Sequence, residues 1–364
     1  MENYSISLPS YSIGNTVYNK IGEICSPFGK KVVCIGGKTA MSKIKDLIIE
    51  NIKNTELEIL DFVWYGGEAS YENIEKLKSN DAVKKADMIF AIGGGKALDT
   101  AKALAFMTEK TVFTFPTIAS NCAGTTAVSI MYNCDGSFKE PFFFPAPAKH
   151  CFIYTPVIAQ SPAKYIWAGM GDTYAKYFEA KMSSRGEDLV HYHELGVTTS
   201  ELCLSPILKY GKKAMADFEN GTASFEVEQV ILAVVVTTGI ASILLTAEHI
   251  IDYNTGLAHA VFYALTSFPH IEERHLHGEV VGYGVLILLL VDNNFEMFRK
   301  MYDFNKSVKL PTCLADLEMS KEDLDNLIPM VCKMKDIDHN PYKITEEMVL
   351  KAFYELEEYN KNNF

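Results

Sequence analysis

Nothing in the 364-residue sequence sets two cysteines at CxxC spacing. The eight that occur (Cys25, Cys34, Cys122, Cys134, Cys151, Cys203, Cys313 and Cys332) follow no regular pattern. Neither a zinc finger nor a disulfide framework is indicated, and a reducing cytoplasm is the expected compartment. Positive charge is also short: 34 Lys and Arg stand against 46 Asp and Glu, a net charge of −12, and no basic run offsets it. Duplex nucleic acid and an anionic membrane surface both call for clustered Lys and Arg, so neither is expected as a partner. The opening MENYSISLPSY has no apolar h-region, so no signal peptide is expected. One long apolar run occurs, residues 230 to 247. It holds Thr237, Thr238, Gly239, Ser242 and Thr246, with Glu228 and Gln229 before it and Glu248 and His249 after, and it reads as a buried core helix. Internal repeats and low-complexity segments are absent.

What is there is a globular composition, 48% hydrophobic and 22% charged, on a chain long enough for two domains. Up to about residue 115, short apolar runs alternate with helical periodicity. KKVVCIGG, LEILDFVW, ADMIFAIGGG and TVFTFP read as strands, and TAMSKIKDLIIENIKN, YENIEKLKSN and KALDTAKALAFM as the helices between them. This grammar predicts βαβ units, hence a mostly parallel sheet with helices on both faces. CDGSF at 134 to 138 signals a hairpin. From Ser161, read with Pro162 as an N-cap and N1 pair, helical periodicity runs to the C-terminus. The expectation is an α/β dinucleotide-binding domain over 1–160 and an all-α domain, carrying metal and substrate, over 161–364.

Three glycines, Gly93, Gly94 and Gly95, close the third predicted strand and open a helix. The usual GxGxxG after a first strand is missing. Glycines let backbone N–H groups approach a pyrophosphate at a helix N-terminus, and they also serve any tight turn. Lys96 opposes the helix dipole, so an anion in front of it would explain the choice. Asp99 and Lys102 are spaced for an ion pair. The loop FPTIASNCAG, after the fourth predicted strand, has only small and hydroxylic residues beyond its first few. It would share the crevice at the strands' carboxyl ends, which favours a phosphate cradle. In the helical half, Asp172 in AGMGDTYAKYFEA, His259 in NTGLAHAVFYAL and His277 in ERHLHGEVVGYG are of the types that bind Zn²⁺ or Fe²⁺. Each also has a plain reading: a helix cap, a core histidine, a surface histidine.

GGGKALDTAK, the PTIAS loop, GMGDTYAKYFEA and GLAHAV…HLHGEVVGYG occur in an order and spacing that resemble the iron-containing alcohol dehydrogenase superfamily, nearest its glycerol dehydrogenase branch. The resemblance covers roughly residues 8 to 350. It implies hydride transfer between NAD or NADP and a small alcohol or polyol, or the matching aldehyde or ketone, in a cleft between the two domains that also holds one divalent metal. It further implies a homo-oligomer. By matching position, Asp172, His259 and His277 would be the metal ligands. Gly94, Gly95 and Asp99 would meet the pyrophosphate, and Thr117, Ser120, Thr126, Val128 and Tyr132 the nicotinamide. His275 is the candidate proton relay. The same architecture serves sn-glycerol-1-phosphate dehydrogenases and dehydroquinate synthases, for which Lys149, Lys164, Lys176 and Arg274 are the scattered cationic candidates. A non-catalytic dinucleotide-binding protein is the remaining alternative.

Four departures bear on the site. Lys176 replaces the histidine that iron-dependent branches carry four residues after the aspartate, which favours three ligands and Zn²⁺, with Fe²⁺ still open. Cys122 replaces a polyol-binding aspartate. Phe262 replaces a second histidine, and both of these changes make the pocket less polar. Gly37, followed by Lys38, stands where a ribose-binding carboxylate is common, so NADPH should be accepted at least as well as NADH.

Overall fold

The computed structural model describes residues 4–363. By internal contacts the chain forms two compact units, Met1–Pro162 with Phe218–Ile231, and Ala163–Asp217 with Leu232–Phe364.

The first unit is built on a six-stranded sheet, every pairing parallel, in the order β1-β8-β5-β4-β2-β3. Its strands are β1 (Tyr11–Gly14), β2 (Lys31–Gly36), β3 (Glu58–Trp64), β4 (Met88–Gly93), β5 (Thr111–Pro116) and β8 (His150–Tyr154). Between β5 and β8 the chain makes an antiparallel hairpin, β6 (Val128–Tyr132) and β7 (Phe138–Phe143), turning at the CDGS signal. Helices α1 (Lys38–Ile52), α2 (Tyr71–Ser79) and α3 (Gly95–Met107) supply the crossovers.

Alternation along the strands divides the core. Val33, Ile35, Ile89 and Ala91 pack with Ile74 and Leu77 of α2 and Leu98 and Leu104 of α3 on one face. Phe90, Phe113 and Phe115 point to the other, where Phe28 and Tyr18 close on them edge-on. On that same face α1 buries Met41, Ile44, Ile48 and Ile52, a one-turn stripe. The sheet is therefore covered on both sides, as a parallel sheet requires.

Two sequence expectations change. β1 has only the four residues YSIG, too short and too exposed to show a pattern, so the strand before the glycines is fourth in the chain, not third. Ser161 does not cap the long helix. Its N–H closes the turn after the preceding short helix at Ile158 O (2.9 Å), and the next helix starts at Lys164.

The second unit is helical. Its centre is α6 (His277–Val291), buried at every position from Gly278 to Val291, as an all-round apolar helix should be. Against it pack α4 (Lys164–Ser183), α5 (Leu257–Leu265), α7 (Phe295–Val308) and α8 (Glu346–Asn362). The helical run Phe225–Leu245 is long and apolar enough to cross a membrane, but 72% of its apolar window is buried inside the protein, so it serves as core.

Glycine sets the spacing of α6. A Cβ at Gly278 would lie 2.0 Å from Ala168 O of α4, and one at Gly171 would lie 2.0 Å from Gly278 O. On the other side of α6, a Cβ at Gly284 would lie 2.5 Å from Ala258 O of α5. The obstacles are backbone atoms, which cannot swing aside.

A Gly→Ala change inside an exposed helix gains up to about 1 kcal/mol of propensity. At Gly278 the clash outweighs this, and Gly278→Ala should lose roughly 1–3 kcal/mol or more in urea unfolding. Gly37→Ala is the control, because Gly37 has φ −72° and its nearest obstacle is 3.7 Å from a built Cβ. It should stay within about 0.5 kcal/mol of the parent. A Gly278→Ala protein as stable as the parent would refute the close crossing.

Candidate functional site

Each unit carries one constellation of the predicted residues. In the helical unit the close crossing of α4 and α6 sets His277, the first residue of α6, beside Asp172. From α5, His259 completes the group. One ligand atom from each of the three lies within 4.8 Å of the others. His277 Nε2 stands 3.4 Å and His259 Nε2 3.6 Å from Asp172 Oδ1. The His259 and Asp172 side chains are 6% and 14% exposed, whereas that of His277 is 42% exposed, so the group has one open side.

A fourth residue, Glu179, which the sequence reading did not single out, fixes the arrangement. Glu179 is fully buried two turns after Asp172 on α4. Its Oε2 lies 2.7 Å from His259 Nδ1, and its Oε1 accepts from the backbone N–H of Gly256 (2.8 Å) and of His259 (2.9 Å). With Nδ1 held by a carboxylate, Nε2 is the nitrogen turned toward Asp172. The available signal was the Asp172-x₆-Glu179 spacing, which puts two carboxylates on one helix face.

Burial alone would raise the Asp172 carboxyl, but hydrogen bonds from His259 and His277 outweigh it and hold the group well below the usual carboxylate range. Burial alone would lower His259. The Glu179 and Asp172 carboxylates outweigh it and push the imidazole up to about 10. Two buried carboxylates thus create a negative field that a proton fills when no cation does. Two imidazole nitrogens and a carboxylate oxygen converging with one side open are a donor set that fits a divalent ion.

His275 has carboxylate neighbours of its own. Its Nδ1 is 2.8 Å from Glu279 Oε1, and its Nε2 stands 3.7 Å from Glu318 Oε1. Phe262, one turn after His259, sets its ring edge-on to His277 at 4.3 Å between centroids.

In the α/β unit, β4 and β5 are parallel neighbours, so the glycine turn and the PTIASN loop leave adjacent strand ends. Gly93 needs its glycine conformation, at φ +142°. At Gly94 and Gly95 a Cβ would lie 2.5 Å from the Ile118 side chain and 2.6 Å from the Asn121 side chain, either of which would have to shift. The PTIASN loop therefore packs directly on the glycines. Lys96 has its anion within the chain, since Glu68 Oε2 is 2.5 Å from its Nζ, and the ammonium also stands 5.0 Å from the centre of the half-buried Tyr132 ring.

Asp99 and Lys102 form a buried pair at 3.0 Å. Lys102 Nζ also donates to Val128 O (2.6 Å) and Thr126 Oγ1 (3.1 Å), and Asp99 Oδ2 accepts from Ile130 N at 3.3 Å. Three of the predicted nucleotide-facing residues, Asp99, Thr126 and Val128, are thus joined through Lys102, and the network fastens α3 to β6. Thr117 is buried, its N–H on Gly93 O at 3.1 Å, while Ser120 and Cys122 are half-buried. Gly37 precedes α1, and Lys38 Nζ sits 4.5 Å from the centre of the exposed Trp64 ring.

The alternative cationic candidates are engaged singly. Lys149 lies over Phe28, Lys164 over Tyr165, Arg274 pairs with Glu318 and Lys176 is bound to Asn254.

Comparison with known proteins agrees with this architecture. Residues 9–154 match the family model described as iron-containing alcohol dehydrogenase. A glycerol dehydrogenase from Thermotoga maritima is 33% identical over 309 residues, spanning 82% of this chain and 81% of the relative. A glycolaldehyde reductase from Halobacterium salinarum is 26% identical over 361 residues, spanning 96% and 95%. Among solved structures, a probable glycerol dehydrogenase from Sinorhizobium meliloti superposes with TM-score 0.82 at 26% identity, covering 99% of each chain.

The raised His259 has a measurable consequence. Its proton is bound in the metal-free protein up to about pH 10, above the ordinary value of 6.5, while a bound ion needs the imidazole neutral. At pH 7.5 uptake of Zn²⁺ should release about one proton from this residue, and apparent affinity should rise about tenfold per pH unit until it flattens near pH 10. Titration calorimetry in buffers of different ionisation enthalpy measures the release, and heats independent of buffer would contradict it.

Proposed function

The chain belongs to the iron-containing alcohol dehydrogenase superfamily, in its glycerol dehydrogenase branch, and on that premise we propose how its own residues divide the work and which alcohols it prefers. It is a metal-dependent oxidoreductase that moves a hydride between NAD(P) and the CH–OH carbon of a small alcohol. The observation that carries the assignment of the centre is the convergence of Asp172, His259 and His277, with Glu179 behind His259.

A divalent ion on these three residues supplies Lewis acidity at the substrate oxygen, and the nicotinamide supplies the hydride acceptor or donor. The chain's residues supply the placement. Asp172 and His259 hold the buried side of the centre, and the exposed edge of His277 marks the side that substrate reaches. Glu179 keeps the His259 Nε2 lone pair facing inward. We assign the proton relay to His275, which is bonded through Nδ1 to Glu279 and whose Nε2 has no hydrogen-bonding partner among the described residues. In the α/β unit, Gly93, Gly94, Gly95, Lys96, Thr117, Ser120 and Tyr132 are the proposed coenzyme-facing residues. Asp99, Thr126 and Val128 act by fixing α3 beneath them.

The preferred substrate is a small alcohol or hydroxyaldehyde less polar than glycerol. Phe262 lines the metal group with an aromatic ring, and Cys122 offers a thiol where a hydroxyl would favour a carboxylate. A cytoplasmic setting is part of this reading, and the family resemblance supports a homo-oligomer. We favour Zn²⁺, at about one ion per chain.

Metal-stripped protein should oxidise NADH or NADPH against small aldehydes and hydroxyketones only after Zn²⁺ or Fe²⁺ is restored. Glycerol should rank below less polar alcohols in the reverse direction, and Phe262→His should move the ranking toward glycerol. Glycerol as the best of a broad panel would overturn the substrate reading, and iron alone after anaerobic purification would overturn the zinc reading. Binding of coenzyme without turnover would favour a non-catalytic protein.

The coenzyme arm of the same panel tests Gly37. The parent should bind NADPH at least as tightly as NADH. Gly37→Asp, which the backbone accommodates, should shift the ratio toward NADH by about tenfold or more. A strong NADH preference in the parent would sink this reading.

A further inference from the structure

Helix α4 carries three ionisable side chains at one-turn spacing, the half-buried Asp172 and the buried Lys176 and Glu179. Asp172 and Glu179 are accounted for by His259. Lys176 is 5% exposed, and its Nζ donates to the side-chain Oδ1 of Asn254 (2.8 Å) and to the Asn254 backbone carbonyl. Among the described residues no carboxylate lies within ion-pairing distance of it. An ammonium is costly to bury on neutral acceptors alone, and an apolar side chain would fill the space at lower cost. Its charge therefore has work to do at Asn254.

That residue lies at the end of a turn, its N–H on Ile251 O at 2.8 Å, immediately before α5. Two residues later the N–H of Gly256 is bound by Glu179, and three residues beyond that so are the N–H and the ring of His259. One face of α4 thus grips a single stretch, 254 to 259, at both ends. Lys176 holds the front and Glu179 the back, while Asp172 faces the imidazole that the stretch delivers.

We propose that Lys176 is a positioning residue for the metal centre: its ammonium straps Asn254 to α4 and thereby sets the register of His259 over Asp172. This rests on Asp172, His259 and His277 holding a divalent ion. Lys176 touches no ligand itself and acts only through the loop.

The test reads metal binding and needs no turnover. Zn²⁺ affinity is measured on metal-stripped protein by competition with a chromophoric chelator, and the ligand field by the visible absorption of the Co²⁺-loaded protein. Lys176→Met should weaken Zn²⁺ binding about 10–100-fold, the range found for partners that orient metal ligands, and should alter the Co²⁺ bands. Asn254→Ala should weaken it less, because the backbone carbonyl still accepts, and Asn254→Asp should stay near the parent. The double variant should be no worse than Lys176→Met alone. Melting of each metal-free variant checks folding, and should Lys176→Met fail to fold, the half-buried Asn254 series carries the same comparison.

Parental affinity and an unchanged Co²⁺ spectrum in both Lys176→Met and Asn254→Ala would overturn the proposal, as would additive losses, which would mean that the two residues act separately. A parent protein that binds neither Zn²⁺ nor Co²⁺ would overturn the metal centre, and the strap's role with it.

Discussion

The helical unit depends on one contact, the approach of α4 and α6 to a distance that no Cβ allows. Gly171 and Gly278 face each other's helix so closely that an added methyl carbon would sit at 2.0 Å from a backbone oxygen. This is packing by backbone, and it fixes position more tightly than interlocking side chains do. His277 stands at the last place before that crossing and Asp172 one residue past it on the partner helix. The spacing of the proposed ligands is thereby inherited from the helix spacing. On the far side of α6 the Gly284–Ala258 contact brings α5 in at similar range, one residue before His259. The three proposed ligands, on three separate helices, stay in register because each is next to a position where two backbones nearly touch.

The α/β unit solves a related problem with charge. Its glycine turn is crowded by Ile118 and Asn121, so the glycines make room for a neighbouring loop before they serve any ligand. What ties the following hairpin to α3 is the buried Asp99–Lys102 pair, whose ammonium reaches Val128 O and Thr126 and whose carboxylate reaches Ile130 N. A buried pair is poor at adding stability and good at specifying one arrangement. At the rim of a nucleotide-type sheet the second property is the useful one.

Much of this was legible in the sequence. The βαβ alternation gives the crossovers and the parallel sheet, because runs such as VVCI and MIFAI are too uniformly apolar for a half-exposed strand. Asp172, His259 and His277 were legible as residue types, and only the family resemblance joined them, since no pair has short spacing. Glu179 was missed because a carboxylate seven residues after another looks like any helix face until its partner is known. Lys96 was read as facing an anion, and within the chain it pairs with Glu68, 28 residues earlier, a contact that no local pattern carries. β1 was missed because its pairing with β8 joins residues 140 apart, which leaves no trace in a window of ten.

The charges around His259 explain how such a centre folds before its ion arrives. Asp172 and Glu179 bring two negative charges into apolar surroundings, a burden that would be severe if unrelieved. Lys176 supplies one permanent positive charge one turn from each. The proton held by His259 up to about pH 10 supplies the second, so the charges of these four side chains offset one another in the metal-free protein. When a divalent ion enters, that proton leaves, and the net gain is one positive charge. The centre therefore changes between its two states by the exchange of one proton for one ion. The same two carboxylates serve both states, because the glycine crossing keeps one of them, and Glu179's three contacts the other, where the charge is needed.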